Sequence, residues 1–136
     1  EGTEEIIRVL EGVLRRNPHH PGANHYFIHA VEAGPNPERA LPSAERLKAL
    51  VPAAGHLVHM PGHIYLRTGD FEAAAVTNVA AVESDRRMLA QSGASGIYPA
   101  MYFNHNFHFI AYARAEQGRH EEAMKAAREM AANVKP

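Results

Sequence analysis

Apolar residues recur at intervals of three and four along most of the chain, and this spacing constrains the fold more than any other feature. The first segment shows it at Ile6, Ile7, Leu10, Val13 and Leu14. Such spacing places side chains on one face of an α-helix, and nothing alternates with period two for long enough to predict a strand. We therefore predict an all-α fold of about seven helices. Proline and glycine breaks set their predicted limits at residues 3–16, 24–33, 37–51, 56–68, 71–89, 102–117 and 120–133.

A six-residue turn sequence occurs twice, 49 residues apart. One copy runs from Gly69 to Ala74 and the other from Gly118 to Ala123; each has a glycine, a ring side chain two places on, a glutamate and a final alanine. Gly34 to Ala40 is a looser copy with one extra residue. Each copy lies between two predicted helices, which indicates repeated helix hairpins. The hairpins would span about 22–50, 55–91 and 101–133, after a leading helix at 3–16.

These turns, and the prolines that follow Asn17 and Val51, resemble the tetratricopeptide repeat family. The resemblance covers nearly the whole chain. It implies a single domain over 1–136, in which antiparallel hairpins stack as a right-handed superhelix with a concave groove. The long fifth helix and the loop after it depart from the family's usual period of about 34 residues. Because the sequence does not begin with Met, we expect a fragment of a longer solenoid, whose exposed end helices would allow self-association.

Composition limits the classes of function that the chain can have. A net charge of −1 gives no electrostatic footprint for nucleic acid or an anionic membrane, and no apolar run approaches the roughly eighteen residues that span a bilayer. The absence of cysteine excludes thiolate ligands and leaves the cell compartment open. The chain has ten histidines where roughly three are expected. This excess indicates histidine chemistry or a histidine-lined binding surface.

The histidines occupy equivalent positions in the three hairpins when these are aligned on Ala40, Ala74 and Ala123. Fifteen positions before these alanines lie His25, His59 and His108. Eleven positions before lie His29, His63 and Tyr112, and eighteen positions before lie Gly22, His56 and His105. Seven histidines are therefore predicted on one face of the first helices. In tetratricopeptide proteins that face lines the concave groove.

Two of the first helices each carry a His-x-x-x-His pair. Histidines four apart share a helix face, and stacked helices lie roughly 8–10 Å apart, so two pairs would bring four imidazoles to one ion. Such a set suits Zn²⁺, Cu²⁺, Ni²⁺ or Co²⁺, not Ca²⁺ or Mg²⁺. The predicted metal ligands are His25, His29, His59 and His63. The predicted ligand-binding positions in the rest of the groove are His56, His105, His108, Tyr112, Tyr26, Tyr65 and Asn104.

Metal-free alternatives remain open on the sequence alone. The imidazoles would then hydrogen-bond to one another, the groove would hold an extended peptide or a helix of a partner protein, or the histidines would form a pH-responsive surface. An enzyme is disfavoured, because no nucleophile stands out and no glutamate lies within the His-x-x-x-His pairs to act as a general base. Glu32, Arg67 and Glu116 are expected to be solvated helix ends, and Met60 a core residue.

Overall fold

The structure, a computed structural model, describes residues 2–134, and most of these residues lie in helices. No strand is found in this range, so the predicted all-α class is confirmed. A 3₁₀ turn over Pro37–Ala40 precedes the third helix, and a π-helical turn over Tyr98–Phe103 precedes the seventh. The α-helices are α1 (Thr3–Arg16), α2 (Pro21–Glu32), α3 (Leu41–Leu50), α4 (Gly55–His59), α5 (Pro61–Thr68), α6 (Phe71–Ser92), α7 (Asn104–Glu116) and α8 (His120–Asn133).

The predicted limits agree with the structure at α1 and α8 and differ at the other five predicted helices. Helix α2 begins three residues earlier than predicted, because the fixed φ of Pro21 suits a first helical position and the His20 Nδ1 accepts the Ala23 N–H at 3.1 Å. Helix α6 continues past Leu89 to Ser92 and ends at Gly93, whose φ of 63° is left-handed. Asp70 caps the start of α6, since its Oδ1 accepts the Ala73 N–H at 3.0 Å.

The predicted helix over 56–68 is divided into α4 and α5, with Met60 between them. Pro61 has no N–H to donate to the carbonyl one turn before it, so the helix is interrupted there. Met60 itself keeps helical backbone angles, with φ of −50° and ψ of −40°, so the interruption is one residue long. His59 ends α4 and His63 lies in the first turn of α5, so both histidines sit beside the break.

The helices pack largely against their neighbours in the chain. Helix α1 packs on α2, α2 on α3 and α5, α4 and α5 on α6, α6 on α7, and α7 on α8. The main apolar core lies among the first five helices and includes the fully buried Met60, as expected. Its buried members are Ile7, Phe27, Ile28, Val31, Ala40, Ala44, Leu47, Met60 and Ile64.

Helix α6 brings two buried polar side chains against α4 and α5, and glycines make room for them. A Cβ at Gly55 would collide with the Asp85 carboxylate, and one at Gly62 with the Asn78 amide. Asp85 also accepts hydrogen bonds from Tyr98 Oη and Asn106 Nδ2, each at 2.8 Å. This carboxylate therefore ties the π-helical turn and α7 to the start of α4.

Membrane crossing was not expected from the sequence. Of the helices in residues 2–134, none combines the length and the apolar character that a bilayer span requires.

Candidate metal centre

Six imidazoles from four helices converge on one face of the molecule. They are supplied by α2, by both halves of the broken helix and by α7. Neighbouring rings have centroids between 4.7 and 6.4 Å apart. The six are His25, His29, His56, His59, His63 and His105.

The first triad comprises His59, His63 and His105, which offer three nitrogen atoms within 4.8 Å of one another. The Nε2 atoms of His59 and His63 are 2.8 Å apart. His59 is fully buried, whereas the other two rings are partly exposed. The geometry is therefore that of a pocket closed at the bottom and open on one side.

The second triad comprises His25, His29 and His56, whose nitrogens also lie within 4.8 Å of one another. The Nε2 atoms of His25 and His56 are 3.2 Å apart. His29 is exposed and the other two rings are partly buried. This second triad is nearer to solvent than the first.

The two triads use histidines from equivalent positions of the aligned hairpins. Each consists of the His-x-x-x-His pair of one hairpin and the histidine eighteen positions before the turn alanine of the next hairpin. His56 thus completes the pair on α2, and His105 completes the pair on the broken helix.

Asn78 holds His59 from behind. Its Oδ1 lies 2.7 Å from His59 Nδ1, and its Nδ2 donates to the Ala74 carbonyl at 2.8 Å. Because the amide nitrogen is used by that carbonyl, the oxygen faces the ring and His59 Nδ1 must donate. His59 therefore presents an unprotonated Nε2 to His63.

Glu32 links the two triads. Its Oε1 lies 2.8 Å from His29 Nδ1, and its Oε2 pairs with His63 Nδ1. These three residues also offer ligand atoms within 4.8 Å of one another. Burial alone would raise the pKa of Glu32, but the hydrogen bonds from His29 and His63 outweigh it and lower the pKa to about 2. Glu32 is therefore a carboxylate at neutral pH.

Several of the imidazoles are kept neutral by their surroundings. Burial, followed by the charge of His63, holds the pKa of His59 well below its usual value. Burial and the charge of His25 lower the pKa of His56 to about 4. The pKa values of His25 and His105 are also lowered, mainly by burial and then by neighbouring histidines. Neutral rings have the free lone pair that metal coordination requires.

An aromatic ring closes the first triad on its inner side. Phe109 lies edge-on to His59, His63 and His105, with centroid distances of 4.6, 4.8 and 4.7 Å. In the second triad Tyr26 stacks on His25 at 4.9 Å and Tyr102 meets His56 edge-on at 5.0 Å. Such apolar walls limit water and orient the rings.

A cavity of about 620 Å³ lies over both triads. Five of the six histidines line it, and the fully buried His59 lies beneath them. The remaining lining residues include apolar, aromatic and amide side chains. These are Tyr26, Ala100, Met101, Tyr102, Asn104, His108 and Met130.

The four predicted metal ligands do not form one group of their own. His25 and His29 belong to one triad, and His59 and His63 to the other. His56 and His105, predicted only as groove residues, complete these triads. His108 is exposed at the cavity rim, 6.4 Å from His105 between ring centroids, and belongs to neither triad.

Of the other predicted groove residues, two line the cavity and two do not. Tyr26 lines it, as does Asn104, whose Nδ2 donates to the Ala100 carbonyl at 3.2 Å. Tyr65 comes two residues after His63, about 200° around the helix, and its hydroxyl donates to Glu45. Tyr112 lies two turns beyond His105, about 10 Å along α7. Tyr65 and Tyr112 were both predicted to line the groove, but neither is among the residues that line the cavity.

Sequence reasoning missed three residues that support the histidines. Glu32 was expected to be a solvated helix end, although its position three residues after His29 was a usable signal. Asn78 lies on α6, 19 residues from His59, and Phe109 on α7; neither stands in a recognisable motif. The contacts of both residues depend on how separate helices pack.

The chain matches no protein-family model and no curated protein. Its function must therefore be argued from the geometry of the site.

Proposed function

We propose that this protein is a tetratricopeptide-like helical module that binds a late transition metal ion through His59, His63 and His105. The observation that carries this proposal is the pair of Nε2 atoms of His59 and His63, which face each other at 2.8 Å. Both rings are held at Nδ1, by Asn78 and Glu32 respectively. Metal-binding histidines characteristically use their second nitrogen in this way.

The protonation states of the pair support a cation between the rings. His59 donates from Nδ1 to Asn78, so its Nε2 is an acceptor. A neutral His63 that donates from Nδ1 to Glu32 has an acceptor at Nε2 as well. Two lone pairs then face each other, and a metal ion between them would turn this repulsion into coordination. The metal-free alternative places a second proton on His63, which would then donate to both Glu32 and the His59 Nε2.

The donor set determines the kind of ion. Three imidazoles suit Zn²⁺, Cu²⁺ or Ni²⁺, and the lack of a carboxylate in the triad disfavours Ca²⁺ and Mg²⁺. Three protein ligands leave a coordination position open, and His63 and His105 line the cavity from which a further ligand would reach it. Such an ion would supply a Lewis acid at the floor of the cavity.

The turns of the second and third hairpins support the tetratricopeptide-like assignment. Gly69 and Gly118 are both left-handed, with φ of 81° and 70°. After each glycine the next N–H donates to a carbonyl five residues earlier at 2.9 Å, from Asp70 to Tyr65 and from Arg119 to Arg114. This is the same helix-ending motif in both copies. The alanines used for alignment, Ala40, Ala74 and Ala123, are all buried.

A metal-free groove for a peptide or protein partner is the second candidate. Tyr26 and Met101 line the cavity while remaining 60% and 57% exposed, and exposed aromatic and methionine side chains are common at binding surfaces. In this case the imidazoles would act as hydrogen-bonding partners of the peptide.

Calorimetric titration of chelator-treated protein with Zn²⁺, Cu²⁺ and Ni²⁺ tests the proposal. We expect saturable binding, and in a His63→Ala/His105→Ala variant the binding event at the first triad should weaken more than about 100-fold, because ligand loss should exceed the 10–100-fold cost of outer-shell changes. His108→Ala, at the cavity rim but outside the triads, is the matched control and should bind like the parent protein. No binding of any metal, or equal binding by the double variant, would refute the metal proposal. The metal-free groove for a peptide or protein partner would then be the remaining candidate function.

A further inference from the structure

We propose that His25, His29 and His56 bind a second late transition metal ion beside the first, so that the site holds a pair of ions. This inference rests on the proposed function of the first triad. It gives a metal-binding role to the three histidines of the cluster that do not bind the first ion.

The second triad repeats the construction of the first. In both, a His-x-x-x-His pair on the first helix of a hairpin is completed by a histidine from the next hairpin at the same aligned position. In both, two Nε2 atoms of different residues approach closely, at 2.8 Å in the first triad and 3.2 Å in the second. Because each triad offers three imidazole nitrogens, both should bind the same class of ion.

Glu32 supports the two triads together. One oxygen holds Nδ1 of His29 from the second triad, and the other holds Nδ1 of His63 from the first. The rings so held have their Nε2 atoms on the side away from the carboxylate. A single carboxylate therefore orients one ligand of each proposed ion, which is the outer-shell role that carboxylates have for metal-binding histidines.

The rings of the two triads lie directly against each other. The centroids of His29 and His63 are 5.3 Å apart, and those of His56 and His59 are 6.0 Å apart. All three histidines of the second triad and two of the first line the same cavity. Two ions held by these rings would face one space, as in two-metal sites, where the ions are roughly 4 Å apart.

A single ion bound by His29, Glu32 and His63 is the competing arrangement, since these residues also offer atoms within 4.8 Å. It would use Nδ1 of both histidines, which now donate to Glu32, and would take one ligand from each triad. The paired arrangement instead keeps both hydrogen bonds to Glu32 and uses all six imidazoles. The two arrangements differ in the number of ions per chain.

The metal content of Cu²⁺-loaded protein after desalting tests the inference. We expect two copper ions per chain, and one in a His25→Ala/His56→Ala variant. His108→Ala should retain two. Because His25 lies nearer the surface than the first triad's His59, His25→Ala alone serves as a second variant with little risk to folding, and it should also lower the content or affinity of the second ion.

Electron paramagnetic resonance gives an independent readout of proximity. Two Cu²⁺ ions within a few ångströms are magnetically coupled, so the parent protein should show a weakened or broadened signal. The His25→Ala/His56→Ala variant should show the signal of an isolated ion at full intensity. One ion per chain with an uncoupled signal in the parent protein, still lost in the His63→Ala/His105→Ala variant, would overturn the second site but keep the first. No bound copper at all would refute the proposed function itself.

Discussion

Two polar clusters within residues 2–134 pair their side chains in opposite ways. At the end of α7, Arg114 and Arg119 donate to Glu72 on α6 and to Glu122 on α8. Each of these close approaches joins a cationic donor to an anionic acceptor. In the histidine cluster, by contrast, pairs of Nε2 atoms approach each other at 2.8 and 3.2 Å.

The difference shows which cluster requires a further component. The arginine–glutamate cluster is complete with the protein's own charges and explains how the second and third hairpins are held at their turns. In the histidine cluster the pKa values of four rings are lowered mainly by burial, outer hydrogen bonds are already in place, and Nε2 atoms face one another. We interpret the first cluster as structural and the second as a binding site.

Among the single substitutions that distinguish the two clusters, Glu32→Gln should lower the metal affinity most. Glutamine has one acceptor oxygen and one donor nitrogen, so its side chain can accept a hydrogen bond from Nδ1 of only one of the two histidines, His29 or His63. We expect metal affinity to fall about 10–100-fold, the usual cost of losing an outer-shell partner. Calorimetry would measure this change. Glu116→Gln, at the end of α7, is the control; an equal effect in both variants would contradict a specific role for Glu32.

Replacing Asn78 should affect stability as well as binding. Asn78→Ala leaves the buried His59 Nδ1–H without its acceptor, which should cost about 1–3 kcal/mol in the free energy of unfolding. Urea denaturation of the metal-free protein would measure this loss. Asn78→Asp keeps an acceptor for the imidazole, so its metal affinity should exceed that of the alanine variant. If both variants bind metal equally well, Asn78 does not orient His59.

The metal-free protein should lose stability as the pH is lowered from about 6.5 toward 4. Burial is the main cause that lowers the pKa of His56 to about 4 and holds the pKa of His59 well below its usual value, whereas unfolded histidine titrates near 6.5. Between these values the unfolded state binds more protons, so acid favours unfolding. Urea midpoints measured across this range should fall with pH, and less steeply in His56→Gln. A midpoint that rises on acidification would contradict this explanation.

The smallest effect on the metal site should come from Glu72→Gln in the other cluster. This change weakens the ion pairs of Arg114 and Arg119 with Glu72, but Arg114 keeps its ion pair with Glu122. Because the Glu72 side chain is 54% exposed, its ion pairs should contribute little to stability. We expect unchanged metal content and only a slightly lower melting temperature, measured by elemental analysis and circular dichroism. A loss of metal comparable to that of Glu32→Gln would show that the two clusters are not independent.

The sequence predicted the helical class and much of the candidate site because both depend on periodic patterns. Aligning the hairpins on their turn alanines placed His25, His59 and His108 at one position, and the first two of these lie in the triads. The pairing between helices was not predictable in this way. Adjacent first helices are offset, so that His56 lies beside His25, and His105 beside His59.

The supporting residues were harder to predict for the same reason. Asn78 reaches His59 because Gly62 lets α6 approach α5 closely, and this depends on the distance between two helices. The break at Met60, which sets the directions of His59 and His63, was only partly indicated by Pro61. Local chemistry thus indicated the ligands, and tertiary packing determined their grouping.

The most direct test of a metal in the first triad is anomalous diffraction from crystals of the metal-loaded protein, with data collected at the absorption edge of the added ion. We predict a peak bounded by His59, His63 and His105, about 2.0–2.1 Å from each ligating nitrogen. A strong peak only at the exposed histidines of the loop before α2, His19 and His20, or no peak at all in protein that has taken up the ion, would contradict the proposed metal centre.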